Sequence, residues 1–140
     1  MAPADLSAPA RKAVSLLIDS VRERTRITWP VAAASPGTGT PLVVVHRAPP
    51  GATLPAEGYR LRSFDNGGAP GLEIAGNDDR GVLFGVGGLL RALEMRRDSV
   101  TLPGTLDIQT APRYALRGHQ LGYRPKTNSY DGWNLSLIHI

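Results

Sequence analysis

Hydrophobic and polar residues in the first part of the chain alternate with the spacing of an amphipathic helix. Four apolar residues fall at i, i+3, i+4 and i+7: Val14, Leu17, Ile18 and Val21. Ser7 is placed to act as the N-cap residue, and Pro9 suits a first helical turn. The pattern therefore predicts a helix from Pro9 to about Arg24.

Three later segments have the pattern of β-strands. Leu42–Val45 is a continuous apolar run, typical of a strand inside a sheet that carries a helix layer. Tyr59–Phe64 alternates apolar and arginine side chains, and Gly71–Gly76 follows after the turn sequence DNGGAPG. We expect these last two segments to form an antiparallel hairpin.

A second helix is predicted to follow the hairpin and to continue to Arg97. Asn77 or Asp78 is placed to cap it. Its apolar stripe has five members: Val82, Val86, Leu89, Leu90 and Leu93. Three glycines share another face: Gly81, Gly85 and Gly88. Because a glycine inside a helix costs up to about 1 kcal/mol relative to alanine, we expect this face to approach a sheet or the other helix closely.

Two short strands are predicted near the end of this region, at Val100–Leu102 and Leu106–Gln109, on either side of an LPGT turn. Pro112 then breaks the pattern and marks a domain boundary. The order of elements predicts an α/β (α+β) two-layer sandwich, in which two main helices cover one face of a mixed sheet of about four to five strands.

The composition is that of one globular domain. The chain has 140 residues, of which 41% are hydrophobic and 20% are charged. It contains no cysteine, which excludes disulfides and thiolate metal sites. Its apolar runs are too short to span a membrane. Met1–Leu6 lacks the basic and then apolar layout of a secretory signal.

The net charge of +4 comes from basic residues that are spread along the whole chain. The densest run, Arg22–Arg26, lies at the end of the first predicted helix, where cations complement the helix dipole. A nucleic-acid-binding domain would concentrate its positive charge on one element, with aromatic residues between. We therefore expect neither nucleic acid nor a membrane among the partners.

None of the motifs considered gives the chain an active site of its own. Gly81–Gly88 does not fit a dinucleotide-binding loop, and Asp78 before it would repel a phosphate. His46 has no partner at metal-ligand spacing, and no nucleophile-elbow motif occurs. Asp78 and Asp79 are explained by helix capping, not by an acid pair. We expect no catalytic residue, no metal and no cofactor.

Two phrases of the sequence resemble the N-terminal accessory domain of bacterial β-N-acetylhexosaminidases, which related α-glucuronidases also carry. The first phrase, acidic–x–x–G–x–x–x–G–x–x–x–L–x–x–L, forms the second helix in that family and is matched here by Asp78, Gly81, Gly85 and Leu89 to Leu93. The second, I–x–D–x–P–R–(Y/F)–x–x–R–G, leads into a TIM barrel. Its matching residues are Ile108, Ala111, Pro112, Arg113, Tyr114, Arg117 and Gly118. The resemblance covers about residues 7–123.

The resemblance implies an accessory domain over residues 1–112, followed by the first strand of a truncated catalytic TIM barrel over residues 113–134. The accessory domain is expected to be non-catalytic and to brace the barrel. The parent enzyme is expected to be a periplasmic or secreted glycosidase that hydrolyses O-glycosidic bonds. Its implied partners are an oligosaccharide or polysaccharide substrate and its own barrel domain. Catalytic acids in the family come from later barrel strands, so this chain alone is expected to be inactive.

Three residues are candidates for contacts with the sugar. Tyr123 and Arg124 would stand at the C-terminal end of the first barrel strand, where active sites of such barrels lie. Arg117 is either a third sugar contact or a salt-bridge partner that ties the barrel to the accessory domain. Gly122 and Pro125 stand where the family has an aspartate and the sugar-binding arginine, so the sugar is not implied by the resemblance.

Both ends of the chain are expected to depart from the natural protein. Leu135–Ile140 reads LSLIHI, which the codons CTG TCT CTT ATA CAC ATC of a transposon-end sequencing adapter encode. We interpret it as adapter read-through in an assembled metagenomic sequence. The segment APADLSAP resembles the exit from a strand into a helix, so we expect a first strand before Met1.

A second function class stays open beside the accessory domain. The chain is alternatively a stand-alone carbohydrate-binding or protein-interaction module. That alternative predicts saccharide affinity in the isolated chain and a C-terminal strand that tolerates solvent. The segment GHQLGY argues against it, because such a strand needs neighbours on both edges.

Overall fold

The computed structural model describes residues 1–2, 6–34, 36–114 and 116–117. These residues form two helices and six strands. In chain order they are α1 (Ala8–Thr25), β1 (Leu42–Arg47), β2 (Tyr59–Asp65), β3 (Pro70–Gly76), α2 (Asp79–Ala92), β4 (Glu94–Arg96), β5 (Ser99–Thr101) and β6 (Asp107–Thr110).

Four of the strands form a mixed sheet in the order β1-β3-β2-β6. β1 runs parallel to β3, whereas β2 is antiparallel to both β3 and β6. β4 and β5 form a separate two-stranded ribbon. The predicted β2–β3 hairpin is confirmed, and so is the α+β class with two helices and a mixed sheet.

The core lies between the helices and the sheet. Val45, Ile74 and Leu61 stand side by side on β1, β3 and β2, and all three are buried. Helix side chains complete the same cluster: Leu17, Val21, Val82, Val86 and Leu89. The helices pack on each other, and α2 also packs on β2 and β3.

The first helix begins and ends close to its predicted limits. The Ser7 hydroxyl accepts a hydrogen bond from the Ala10 N–H at 3.2 Å, as an N-cap residue does. Arg26 ends the helix in the left-handed region with φ of 68°. Arg22 and Arg24 lie in the last turn, so the basic run is part of the helix terminus, as predicted.

The second helix is shorter than predicted. It ends at Ala92 and not at Arg97, because the backbone of Leu93 is extended. The next three residues form β4, which pairs with β5 across a turn at Asp98. This ribbon places Met95 and Val100 against the core, an arrangement that a continued helix would not allow.

The glycine face of α2 packs on the sheet, as its spacing predicted. A Cβ built on Gly85 would lie 2.6 Å from Ile74 Cγ2, and one on Gly88 would lie 2.9 Å from the Tyr59 hydroxyl. Real Cβ atoms do not come so close to other atoms. The glycines therefore bring the helix backbone nearer to the sheet than alanines would.

One strand prediction needs correction. β1 was predicted inside a sheet, but it is the edge strand of the described sheet, and only Val45 on it is buried. The two strands predicted around the LPGT turn are both present, and they belong to different sheets. β5 pairs with β4, whereas β6 extends the main sheet beside β2.

Candidate functional site

The structure places one of the three predicted site residues. Arg117 lies next to α2 and the loop before β2. Tyr123 and Arg124 lie outside the described residues, as does most of the predicted barrel strand from 114 to 123. Tyr114 and Leu116, which are described, are largely exposed and are not part of a strand.

Glu57 is the centre of the site around Arg117. One carboxylate oxygen of Glu57 pairs with the guanidinium of Arg117, and the other lies 2.5 Å from Arg80 Nη1. Arg80 is on the first turn of α2, and Glu57 lies in the loop before β2. One half-buried carboxylate thus joins α2 to the segment that follows Pro112.

The backbone of Glu57 is fixed by the N-cap residue of α2. Asp78 Oδ2 accepts the Glu57 N–H at 2.7 Å, while Asp78 Oδ1 accepts the Gly81 N–H at 2.8 Å. The Asn77 N–H donates to the Gly58 carbonyl at 2.9 Å beside them. Glu57 adopts a left-handed conformation with φ of 58°, which is uncommon for a residue other than glycine. The Asp78 carboxylate therefore caps the helix and holds the loop at the same time.

The pKa values of both carboxyl groups are lowered. Burial alone would raise the pKa of Asp78, but hydrogen bonds from the backbone of Glu57, Gly81 and Arg80 outweigh it. The pKa of Glu57 is lowered by hydrogen bonds from Arg117 and then Arg80. Both groups are therefore ionised at neutral pH, and neither has the raised pKa of a general acid.

Arg117 makes three different kinds of contact. Besides its ion pair with Glu57, its Nη1 donates to the Tyr114 carbonyl at 2.6 Å. Its guanidinium carbon lies 5.7 Å from the centroid of the Phe84 ring, a distance suited to a cation–π interaction. The planar guanidinium presents five N–H donors in a fixed fork and a face that stacks on aromatic rings, so this one side chain can satisfy a carboxylate, a carbonyl and an aromatic face together.

A shallow groove of about 550 Å³ adjoins this contact beside α2. Its walls are formed by α2 and by the chain after β6. Its lining residues include Tyr59, Leu83, Phe84, Arg91, Pro112 and Arg117. Leu83 keeps 42% of its surface exposed. A lining that combines apolar side chains with two arginines is suited to packing against another part of a protein.

A second polar cluster lies on the sheet face opposite the helices. Glu73 Oε1 is 3.0 Å from His46 Nε2, and Glu73 Oε2 is 3.3 Å from Arg62 Nε. Sequence reasoning gave His46 no partner, because Glu73 is brought beside it only by the parallel pairing of β1 with β3. In the part of the chain that the structure describes, no three His, Asp or Glu side chains group as metal ligands do.

The comparisons with known proteins add no family to this geometry. No protein-family model matches the chain, and no curated protein matches it. Neither helix of the described ranges combines the length and the apolar character that crossing a bilayer requires.

Proposed function

We propose that residues 1–112 are the non-catalytic N-terminal domain of a glycoside hydrolase and that they brace its catalytic barrel. The parent enzyme would hydrolyse O-glycosidic bonds of an oligosaccharide or polysaccharide. The observation that carries the proposal is the position of Arg117. This residue belongs to the phrase that resembles the entry into a barrel, and its guanidinium is held by Glu57 and Phe84 of the preceding domain.

The geometry around Arg117 supports a bracing role better than a catalytic one. Glu57 is paired with two arginines, so its charge is neutralised and it is not poised to transfer a proton. Of the two open interpretations of Arg117, the contacts favour the salt bridge between the two parts of the chain. The exposed groove beside it offers an apolar surface onto which a following domain can pack.

The first experiment assays the isolated chain. The purified protein is incubated with a panel of aryl glycosides and is titrated with oligosaccharides in a calorimeter. We expect neither turnover nor saccharide binding. Turnover would overturn the assignment of a non-catalytic domain, and saccharide binding without turnover would support the stand-alone carbohydrate-binding module instead.

The second experiment tests bracing in the parent enzyme, whose gene is obtained by reading the sequence contiguous with this one. Arg117→Gln is expected to shorten the half-life of glycosidase activity on heating while the initial rate stays unchanged. Arg24→Gln, on the exposed last turn of α1, is the matched control and should not change the half-life. A parent chain without a glycosidase barrel, or equal half-lives for both variants, would contradict the proposal.

A further inference from the structure

The first residue of the chain hydrogen-bonds to the edge of β1. The Met1 amine donates to the Val43 carbonyl, and the Val45 N–H donates to the Met1 carbonyl at 3.0 Å. A residue that bonds to the two neighbours of one partner residue is paired in parallel with that partner. Met1 is therefore paired with Val44, as one residue of a strand that runs parallel to β1.

The sequence of β1 fits a strand with neighbours on both sides. Its run of Leu42–Val45 is typical of parallel strands, which are usually found inside sheets and seldom at their edges. In the described sheet β3 covers only one side of β1. Met1 covers the other side only opposite Val44. The part of this edge beside Leu42 and Pro41 would face the residues that precede Met1 in a parallel strand.

A large apolar cavity of about 1170 Å³ lies next to this edge. Its lining includes Ala2, Val14, Leu17, Ile18, Trp29 and Val43. Ala2 packs against the core, and side chains of a strand alternate between its two faces. The residue that precedes Met1 would therefore project to the same side as Ala2, opposite Val43 and into the cavity.

We propose that the outer edge of β1 binds an extended segment that runs parallel to it. The occupant we infer is the stretch joined to the amino side of Met1 in a longer form of this polypeptide, with apolar side chains at its first and third positions before Met1. The added strand, α1 and β1 would then form a parallel crossover unit. This inference is independent of the proposed bracing function.

The electrostatics at Met1 agree with this arrangement. Burial lowers the pKa of the Met1 amine, so the position disfavours a positive charge. A peptide bond at the same position would keep the N–H that Val43 accepts and would remove the charge. The backbone geometry and the cavity carry the inference, and the lowered pKa is consistent with both.

The test joins four residues to the amino side of Met1 in the full chain. The sequence Thr-Val-Thr-Val places valine at the first and third positions before Met1. The control, Val-Thr-Val-Thr, has the same composition but turns its valines to the open face of the sheet. Thermal unfolding and amide hydrogen exchange are measured for both extended chains and for the chain as it stands.

We expect the first extension to raise Tm by about 5 °C or more, because it buries two valines in the cavity. The control extension should raise Tm by clearly less. The Val43 amide should exchange at least about tenfold more slowly with the first extension. Equal Tm values for all three chains with unchanged Val43 exchange would overturn the proposal. Concentration-dependent dimerisation of the unextended chain with protection of Val43 would also overturn it, since a second copy would then be the occupant.

Discussion

Gly85 on α2 and Ile74 on β3 pack backbone against side chain, so closely that a Cβ on Gly85 would lie 2.6 Å from Ile74 Cγ2. Ile74 is fully buried in the centre of the sheet. The distance between helix and sheet is therefore set by the absence of a side chain at residue 85. Phe84 and Arg80 lie on the same helix, where Phe84 contacts Arg117 and Arg80 pairs with Glu57.

Gly85→Ala should destabilise the domain by roughly 1–3 kcal/mol, since the added methyl group would clash with the buried Ile74 side chain and overpack this contact. Gly87 is the matched control on the same helix. Among the described residues, a Cβ there would meet only Arg91 Nη1, at 3.6 Å, so Gly87→Ala should stabilise by up to about 1 kcal/mol through helix propensity. Urea unfolding curves measure both. Equal effects of the two substitutions would show that the close approach does not limit the packing.

Asp78→Ala should cost about 1–2 kcal/mol of stability, because the first turn of α2 loses its cap. It should also free the Glu57 amide, whose hydrogen exchange should accelerate. Asp79→Ala is the control: Asp79 Oδ1 is buried without a hydrogen-bond partner in the described structure, so its removal should cost less. Exchange rates of the Glu57 amide that are equal in the two variants would contradict the double role of Asp78.

The Glu57 carboxyl should titrate below its ordinary pKa of 4.5, as followed by NMR of its side-chain carbon. Because the folded pKa is lowered, the interaction with Arg117 is fully present above pH 4.5 and is lost as the pH falls through the folded pKa. Arg117→Gln should move the titration midpoint upward, towards 4.5.

Arg97→Gln is the control for this titration, because Arg97 pairs, among the residues that the structure describes, with Asp98 at 3.6 Å and not with Glu57, and its side chain is largely exposed. It should leave the midpoint of Glu57 unchanged. A midpoint that is the same in the Arg117→Gln variant and in the unchanged chain would mean that the ion pair does not persist in solution.

Stability should rise with pH as the Met1 amine loses its proton. The pKa of the amine is lowered from 8.0 by burial, so the unfolded chain holds more protons between the folded pKa and 8.0, and raising the pH in that window favours folding. Urea midpoints measured across it should increase for the free amine. A chain acetylated at Met1 should lack this increase, and a rise of the same size after acetylation would assign it to another group.

The elements of the fold could be predicted wherever a local pattern decides them. The α1 stripe with the Ser7 cap and the β2–β3 hairpin depend on residues close in sequence, and both are found. The end of α2 could not be predicted in this way. Leu93 and Met95 continue the apolar pattern of the helix, but Met95 packs on the core from the β4–β5 ribbon. The end of the helix therefore depends on packing between elements, which a local pattern does not encode.

The site was predictable only in part. The phrase around Arg117 indicated either a sugar contact or a salt bridge to the accessory domain, and the structure shows the ion pair. Its partner, Glu57, belongs to no motif and lies 60 positions away in sequence. It reaches Arg117 only because Asp78 holds the loop before β2 against the start of α2, a contact between elements that no local pattern encodes.

Met1 and Thr110 lie at opposite edges of the main sheet, one beside β1 and the other at the end of β6. Four strand spacings of about 4.8 Å separate these positions, or about 19 Å. Tension applied between them acts mostly across the strands, so the ladders open one hydrogen bond after another instead of shearing together. Pulled from these two points, the domain is therefore mechanically weak, and the ion pair of Glu57 with Arg117 does not lie on the path of the load.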